Sequence, residues 1–413
     1  MNTMDNNSFK LTAEMQLLLA CCSLSMKQDD RNRKESLDRL SALSRQEGID
    51  WEGFIDLVER HRVHRLVDRN INQYAPEQIP ANVRLALRDR SNQKRWQMLN
   101  LTAELVRLSK LFAQHDMFVL SFKGPLLSQQ LFDDYGLRYS KDLDLLVKPQ
   151  DLDQAEQLLL SNGYTRQKPD FVLTPRQKKA YLKESLHVSY YHPERQIIVE
   201  LHWRLCSNPY LLPSEYVQRM MSTAQQVPIA GAQITSLSDE DTLLYLCLHG
   251  ATHGWYRLKW LCDISQFLHR EQAINWEAWA ENVVTLALHR PVAQALLLAH
   301  QLFDAPLPPA TRFLTAEDQI IPKLVAHSIQ ALMQSEEELF PVGQLKAFRD
   351  MPYRMKLKAD FRYKWSAFSQ AWLSIDDWKR YPLPDILFPL YYILVPFSWL
   401  WRYYLSKLSL RTS

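Results

Sequence analysis

The sequence predicts an α+β protein in which a small mixed-sheet core lies between helical regions at both ends. Apolar residues recur at helical spacing before position 115 and again after position 238. Between them, from 116 to 205, come short alternating runs bounded by turn signals. Glycine is scarce, at 9 in 413 residues, which suits a helix-rich chain. That length allows two or three domains with substantial cores. With 46% hydrophobic and 23% charged residues the composition is that of an ordinary globular protein. A net charge of +3 does not by itself imply a nucleic-acid partner. Cys21, Cys22, Cys206, Cys247 and Cys262 are scattered and form no Cys-x-x-Cys pair. They are expected as reduced, buried thiols of a cytoplasmic protein. Residues 1–10 are polar and the apolar run 15–22 is short, so no signal peptide is read.

In chain order, Phe54, Leu57, Val58 and His61 mark one helix, and Leu101, Leu105, Leu108 and Phe112 mark another. Residues 29–34 read as a charged break and 75–81 as a loop. A long helix follows from about 91–95. Val119, Leu120 and Phe122 form an apolar strand that breaks at Lys123-Gly124-Pro125. A short helix over 126–132, a turn at Asp134-Tyr135-Gly136 and a strand over 142–147 come next. The helix over 152–161 ends at Asn162-Gly163. Segment 166–184 is basic and polar, with Pro169 and Pro175, and is expected as a flap over the site. Residues 186–191 and 196–203 read as a hairpin turning at His192-Pro193-Glu194. Ser238, with Asp241 three residues later, caps a helix over 243–249, and helices continue to about 333. The expected regions are helical 1–115, α/β core 116–235, helical 236–345, and an aromatic and basic segment 346–413.

The final run 386–401 is uncharged but shorter than the roughly 20 residues a spanning helix needs, and Pro389 and Pro396 interrupt it. Aromatic residues, with Arg402 and Lys407 beyond, suggest peripheral contact at a membrane interface. The other reading is a terminal segment packed on the helical domain.

The chemistry concentrates on three acids. Strand alternation puts Asp142 and Asp144 on one face while Leu143 and Leu145 point into the core. Two carboxylates so placed offer the oxygen ligands that Mg²⁺ needs beside substrate phosphates. Glu200 sits inside the apolar run Ile197-Ile198-Val199-Glu200-Leu201, where a buried acid is costly unless paired or bound to a metal. His202 shares its face. His249 and His253 lie one turn apart, but no third zinc ligand is near.

Strand, glycine turn, helix, Asp-x-Asp strand and later single-acid strand resemble the nucleotidyltransferase core. The wording is closer to the uncharacterised nucleotidyltransferase family, often found near bacterial polysaccharide and peptide-modification genes. Lys123-Gly124, Arg138, Asp142-x-Asp144 and Glu200-Leu201-His202-Trp203 carry the resemblance. Asp50-Trp51, His61-Arg62-Val63 and the run 246–255 extend it over most of the chain. The resemblance implies transfer of NMP from an NTP to a hydroxyl of a glycan, peptide or protein. Asp142, Asp144 and Glu200 would hold two Mg²⁺ ions, and Glu200 would take the acceptor proton. Gly124 would admit a phosphate to the helix N-terminus. Pro125 departs from the Gly-Ser or Gly-Gly of most of the superfamily and supplies neither N–H nor hydroxyl, which leaves Lys123 and Ser128 as phosphate ligands. Arg138 would brace a carboxylate or bind phosphate. His253, Arg257 and Lys259 are candidates to face the cleft, although Arg257 and Lys259, two apart, cannot both point into it. The basic stretch 176–183 is too short for the stripe that RNA binding favours, which argues against nucleic acid. The reading of a different kind is a degenerate fold serving as a binding or scaffold protein at the inner membrane face, suggested by Pro125 and the aromatic C-terminus.

Overall fold

The computed structural model describes residues 11–398 except 24–29, 47, 75–76, 271–273, 316–317, 340–345, 372–374 and 395–396. Helices α1 (Ala13–Ser23), α2 (Asp30–Ser44), α3 (Trp51–His61) and α4 (His64–Tyr74) precede the 34-residue α5 (Ala81–Gln114). The core then runs β1 (Val119–Ser121), α6 (Gly124–Phe132), β2 (Asp142–Val147), α7 (Leu152–Ser161), β3 (Thr165–Lys168), α8 (Pro175–Glu184), β4 (His187–His192) and β5 (Ile197–His202). Helix α9 (Ser214–Ser222) leads to a hairpin of β6 (Gln225–Ile229) and β7 (Ala232–Ser236). Helices follow as α10 (Asp239–Thr252), α11 (Leu258–His269), α12 (Trp276–Thr285), α13 (His289–Phe303), α14 (Ile321–Met333) and α15 (Glu336–Leu339). The last are α16 (Lys346–Arg354), α17 (Phe361–Ala371) and α18 (Ile375–Arg380).

The main sheet has the order β1-β2-β5-β4-β3, with β2 and β5 parallel and the other neighbours antiparallel. This is the expected mixed sheet between helical stretches. Alternation divides β2 between two cores. Leu143, Leu145 and Val147 pack with Leu101, Leu105 and Phe112 of α5 and Leu159 of α7. Leu146 joins Leu120 and Phe122 in the core shared with α10, α11 and α13. Asp142 and Asp144 stand on the Leu146 face, so the carboxylates look toward the later helices. The same core takes in Leu17, Leu18, Phe54, Val58 and Val67, which joins the N-terminal helices to the helices after 237.

Several local expectations hold. Ser238 accepts from the Asp241 N–H as an N-cap, while the helices run past the expected end near 333 into α15 to α18. The five cysteines are buried and free. Others are corrected. The charged stretch 30–34 is the first part of α2 and not a break, because its Arg and Lys residues are good helix formers. Segment 166–184 is built as β3 and α8. The reciprocal capping box of Thr174 and Gln177 starts that helix, and the Thr174 hydroxyl bonds Asp385. The hairpin of β6 and β7, turning at Ala230-Gly231, was not foreseen as a second sheet. In the terminal segment Trp378, Phe388 and Tyr391 are buried in the sheet's own core, whereas Ile386, Ile393 and Phe397 are exposed. Residues 1–10, Pro396, Arg402 and Lys407 lie outside the described residues. No described helix is long and apolar enough to cross a membrane.

One packing constraint near the site is severe. Trp255 is fully buried at φ +56°, and its N–H donates to the Gly250 carbonyl at 2.9 Å. A β-carbon at Gly250 would overlap the Trp255 ring. Gly250→Ala is therefore expected to destabilise the protein by about 1–3 kcal/mol, the range for overpacked cores. A urea melt with an unchanged midpoint would contradict this packing.

Candidate functional site

The site grows from the parallel pairing of β2 with β5. Its register places Asp144 opposite Glu200 and Leu146 opposite His202. The antiparallel pairing of β4 with β5 then sets His187 opposite His202. Four polar side chains thus gather on one face of a sheet whose alternate residues are core.

Asp144 is the centre of this cluster and is 2% exposed. Its Oδ1 accepts from Lys123 Nζ at 2.9 Å and lies 3.1 Å from His202 Nε2, while its Oδ2 is buried with no partner. His202 Nε2 also lies 3.3 Å from Glu200 Oε2, and His187 Nε2 lies 3.5 Å from Glu200 Oε1. Phe122 stands edge-on to the His202 ring and to the Tyr245 ring, with centroids 5.1 Å away in each case.

The charges follow from this crowding. Burial, then the charges of Asp144 and Glu200, pushes the Asp142 carboxyl up to about 6. Burial would also raise Asp144, but the Lys123 ammonium and the His202 hydrogen bond override it and hold this carboxyl well below its usual range. Burial would depress Lys123, yet Asp144 beside it holds the ammonium well above its usual value. Burial would raise Glu200, but its hydrogen bond to His202 leaves it lowered. Burial would lower His202, but its bonds to Asp144 and Glu200 raise it. Burial and the neighbouring His202 depress His187 to about 4.

Gly124 opens α6 at φ +62°, and a β-carbon there would meet the Asp142 carbonyl at 3.5 Å, so the turn lies directly against β2. Pro125 follows within the first turn of α6.

Next to Asp142, through Lys141 and Arg62, opens a cleft of about 650 Å³ lined by the cations Arg60, Arg62, Lys94, Lys141 and Arg257 and also by the acids Asp56, Glu59, Glu336 and Glu337. Lys141 adjoins Asp142, and Arg62 feels the Asp142 charge. The cations are crowded: Arg62, then burial, holds the Lys141 ammonium below its usual value, and burial with Arg257 depresses Arg60 to about 10. Arg62 is presented by a left-handed turn, φ +58°, that closes α3. The fully buried His61 accepts the Leu258 N–H at Nδ1, 3.0 Å away, which ties that turn to the start of α11.

The remaining sequence candidates divide. Arg257 lines the cleft, donating to the Arg60 carbonyl at 2.5 Å and pairing with Glu336 at 2.8 Å. Lys259 points inward and donates to the Tyr139 carbonyl at 3.3 Å. Burial, with Arg138 and Arg62 nearby, depresses its ammonium strongly. Arg138 is buried and paired with Asp263 at 2.6 Å, so it braces the fold beneath the carboxylates. Ser128 is fully buried; its hydroxyl donates to the Asp134 carbonyl and accepts the Arg138 N–H, which sets it in the core and away from a phosphate path. His253 stacks on Trp260, centroids 5.2 Å apart, and lines a smaller pocket with His327 and Tyr353. His187, Lys141 and Arg62 were not foreseen as site residues. The first could have been found from the hairpin register opposite His202, but the other two depend on how helices meet the sheet.

A carboxylate pair on one strand, a third acid at the matching register of its parallel neighbour and a glycine turn against them define a nucleotidyltransferase-type core. The comparison of sequences agrees: the family model described as uncharacterised nucleotidyltransferase matches residues 47–304, more than half of the chain. The chain belongs to that family. No curated protein matches it.

The pKa shift of Asp142 carries a stability consequence. An acid whose pKa is higher in the folded than in the unfolded chain loses stability as pH rises from the unfolded value, about 4, to the folded one. Charged Asp142 thus destabilises the metal-free fold at neutral pH. Asp142→Asn should raise the thermal midpoint in chelator by about 1–4 °C near pH 7.5. The gain should fall as pH drops through about 6 toward 4 and vanish at about pH 3, where Asp142 is neutral in the folded and the unfolded chain. Calorimetry across that range checks both the sign and the window.

Proposed function

We propose that the protein is a Mg²⁺-dependent nucleotidyltransferase that moves NMP from an NTP to a hydroxyl of a glycan, peptide or protein. The observation that carries this reading is the meeting of Asp142, Asp144 and Glu200 on paired strands beside a cleft crowded with cations. The three acids suit the metal: Asp144 Oδ2 is buried and unpartnered, and Asp142 is raised by burial and then by its two acidic neighbours. Asp142 and Asp144 would hold two ions, and Glu200 would hold the one on the acceptor side. Bound Mg²⁺ would neutralise the phosphates and make the acceptor hydroxyl more acidic.

The chain's own groups do the rest. Arg62, Lys141 and Arg257 bind the triphosphate: Arg62 and Arg257 both depress Lys141 although Glu336 pairs with Arg257, so a polyanion is the matching ligand. Gly124 lets a phosphate approach the N-terminus of α6, although Pro125 offers no N–H there. Glu200 orients the acceptor and receives its proton at a carboxylate oxygen. The acceptor oxygen forms a bond to the α-phosphorus while the bond to the β-bridging oxygen breaks, and pyrophosphate leaves among the cleft cations. The basic residues wall a cleft and do not form a stripe, which favours a mononucleotide over nucleic acid.

One observation favours the scaffold reading. Lys123 already satisfies Asp144 with an ion pair, as a core that no longer transfers nucleotide would need. Peripheral membrane contact is proposed through Ile386, Ile393 and Phe397, which are 84%, 60% and 65% exposed. An Ile386→Asp/Ile393→Asp variant should lose co-sedimentation with vesicles while melting like the parent; equal sedimentation removes this contact.

The activity is tested with Mg²⁺, NTPs radiolabelled at the α-phosphate and cell extract as the acceptor pool. Wild type should transfer label and the Asp142→Ala/Asp144→Ala variant should not. Arg62→Ala should weaken Mg²⁺-dependent NTP binding about tenfold in calorimetry, roughly 1.4 kcal/mol. Binding without transfer favours the scaffold, and neither binding nor transfer rejects the enzyme reading.

A further inference from the structure

We propose that His187, Glu200 and His202 form a site for one transition-metal dication of the Zn²⁺ type, a centre distinct in chemistry from an all-carboxylate Mg²⁺ site. One ligand atom from each of the three lies within 4.8 Å of the others. The Nε2 atoms of His202 and His187 stand 3.3 and 3.5 Å from the two Glu200 oxygens. Each imidazole thus already stands near the roughly 3.3–3.6 Å ligand–ligand spacing of a tetrahedral zinc site from one Glu200 oxygen, and small side-chain rotations would bring one atom of each residue onto a shared ion. The backbone fixes the arrangement: His187 and His202 are cross-strand partners, and Glu200 is two residues from His202 on the same face.

The donor set selects the ion. Mg²⁺ prefers hard oxygen ligands, whereas two imidazoles with one carboxylate favour Zn²⁺ and its first-row neighbours. Three protein ligands leave a fourth position for substrate, the pattern of catalytic centres. His202 is 1% exposed at its side chain and His187 32%, so the cluster is closed behind and open in front. The adjoining Asp144 pairs with Lys123 and His202 through Oδ1 but keeps its buried Oδ2 without a partner, a second unmet acceptor beside the site. The role of this ion rests on the proposed function: sharing Glu200, it would sit on the acceptor side and leave Asp142 and Asp144 to the nucleotide.

The test titrates the chelator-stripped full chain with Co²⁺, read by its visible ligand-field bands, and with Zn²⁺ by competition against a chromogenic chelator. One Co²⁺ per chain, displaced by Zn²⁺ but not by excess Mg²⁺, is expected. His187→Ala, at the exposed member, and Glu200→Gln should each weaken Co²⁺ binding at least about tenfold. Circular dichroism and melting confirm that each variant is folded. Co²⁺ held no tighter than Mg²⁺, or held equally by His187→Ala, overturns the site. Asp142→Asn separates the two proposals: it should lose Mg²⁺-dependent NTP binding and keep Co²⁺. Failure of Co²⁺ binding with NTP binding intact rejects this inference alone. Co²⁺ bound as expected without any NTP binding rejects the nucleotidyltransferase reading and leaves the metal site.

Discussion

The parallel pairing of β2 with β5 is the constraint on which the rest of the site depends. It is the junction at which the sheet brings two acid-bearing strands side by side, and its register sets Asp144 against Glu200. Those carboxylates share strands with Leu143, Leu145, Val199 and Leu201, all at most 1% exposed. A register slip of one residue would drive these side chains to the opposite faces. Each such apolar side chain stabilises the fold by about 1.5–3 kcal/mol on burial. The hydrophobic pattern therefore holds the acids together against their repulsion.

Compensation is arranged around that repulsion. Lys123 and His202 both reach Asp144, while Glu200 lies between two imidazoles. Buried charges are tolerated when paired and hydrogen-bonded. Beneath them Arg138 and Asp263 form a second buried pair linking the turn before β2 to α11. The helices after the sheet are thus part of the site's support, since Tyr245 of α10 shares a wall with Phe122.

Much of this was legible in the sequence where the signal is local. Alternation alone puts Asp142 and Asp144 on one face, and an acid in an apolar strand marks Glu200. Residues whose meaning lies in tertiary packing were less legible. Ser128, four residues after Gly124, has the chemistry of a phosphate ligand, but the phase of α6 turns it into the core. Arg62 and Lys141 are ordinary surface types in sequence, and only the meeting of α3, β2 and α11 makes them one cluster. The C-terminal segment mixes both cases: Phe388 and Tyr391 are buried, while their neighbours Ile386 and Ile393 are exposed. An uncharged run cannot by composition reveal which of its residues meet protein.

The hydrogen bond from the Leu258 N–H to His61 has a consequence for how the basic cleft meets a ligand. It welds the turn that presents Arg62 to the first residue of the helix that follows Arg257. Arg62 and Arg257 are thus carried by elements that the fold itself joins. On the proposed function, a polyphosphate arriving there would find cations already positioned and would lose less to ordering side chains. Affinity would then read out shape and charge spacing, discriminating among anions by how closely they reproduce that spacing.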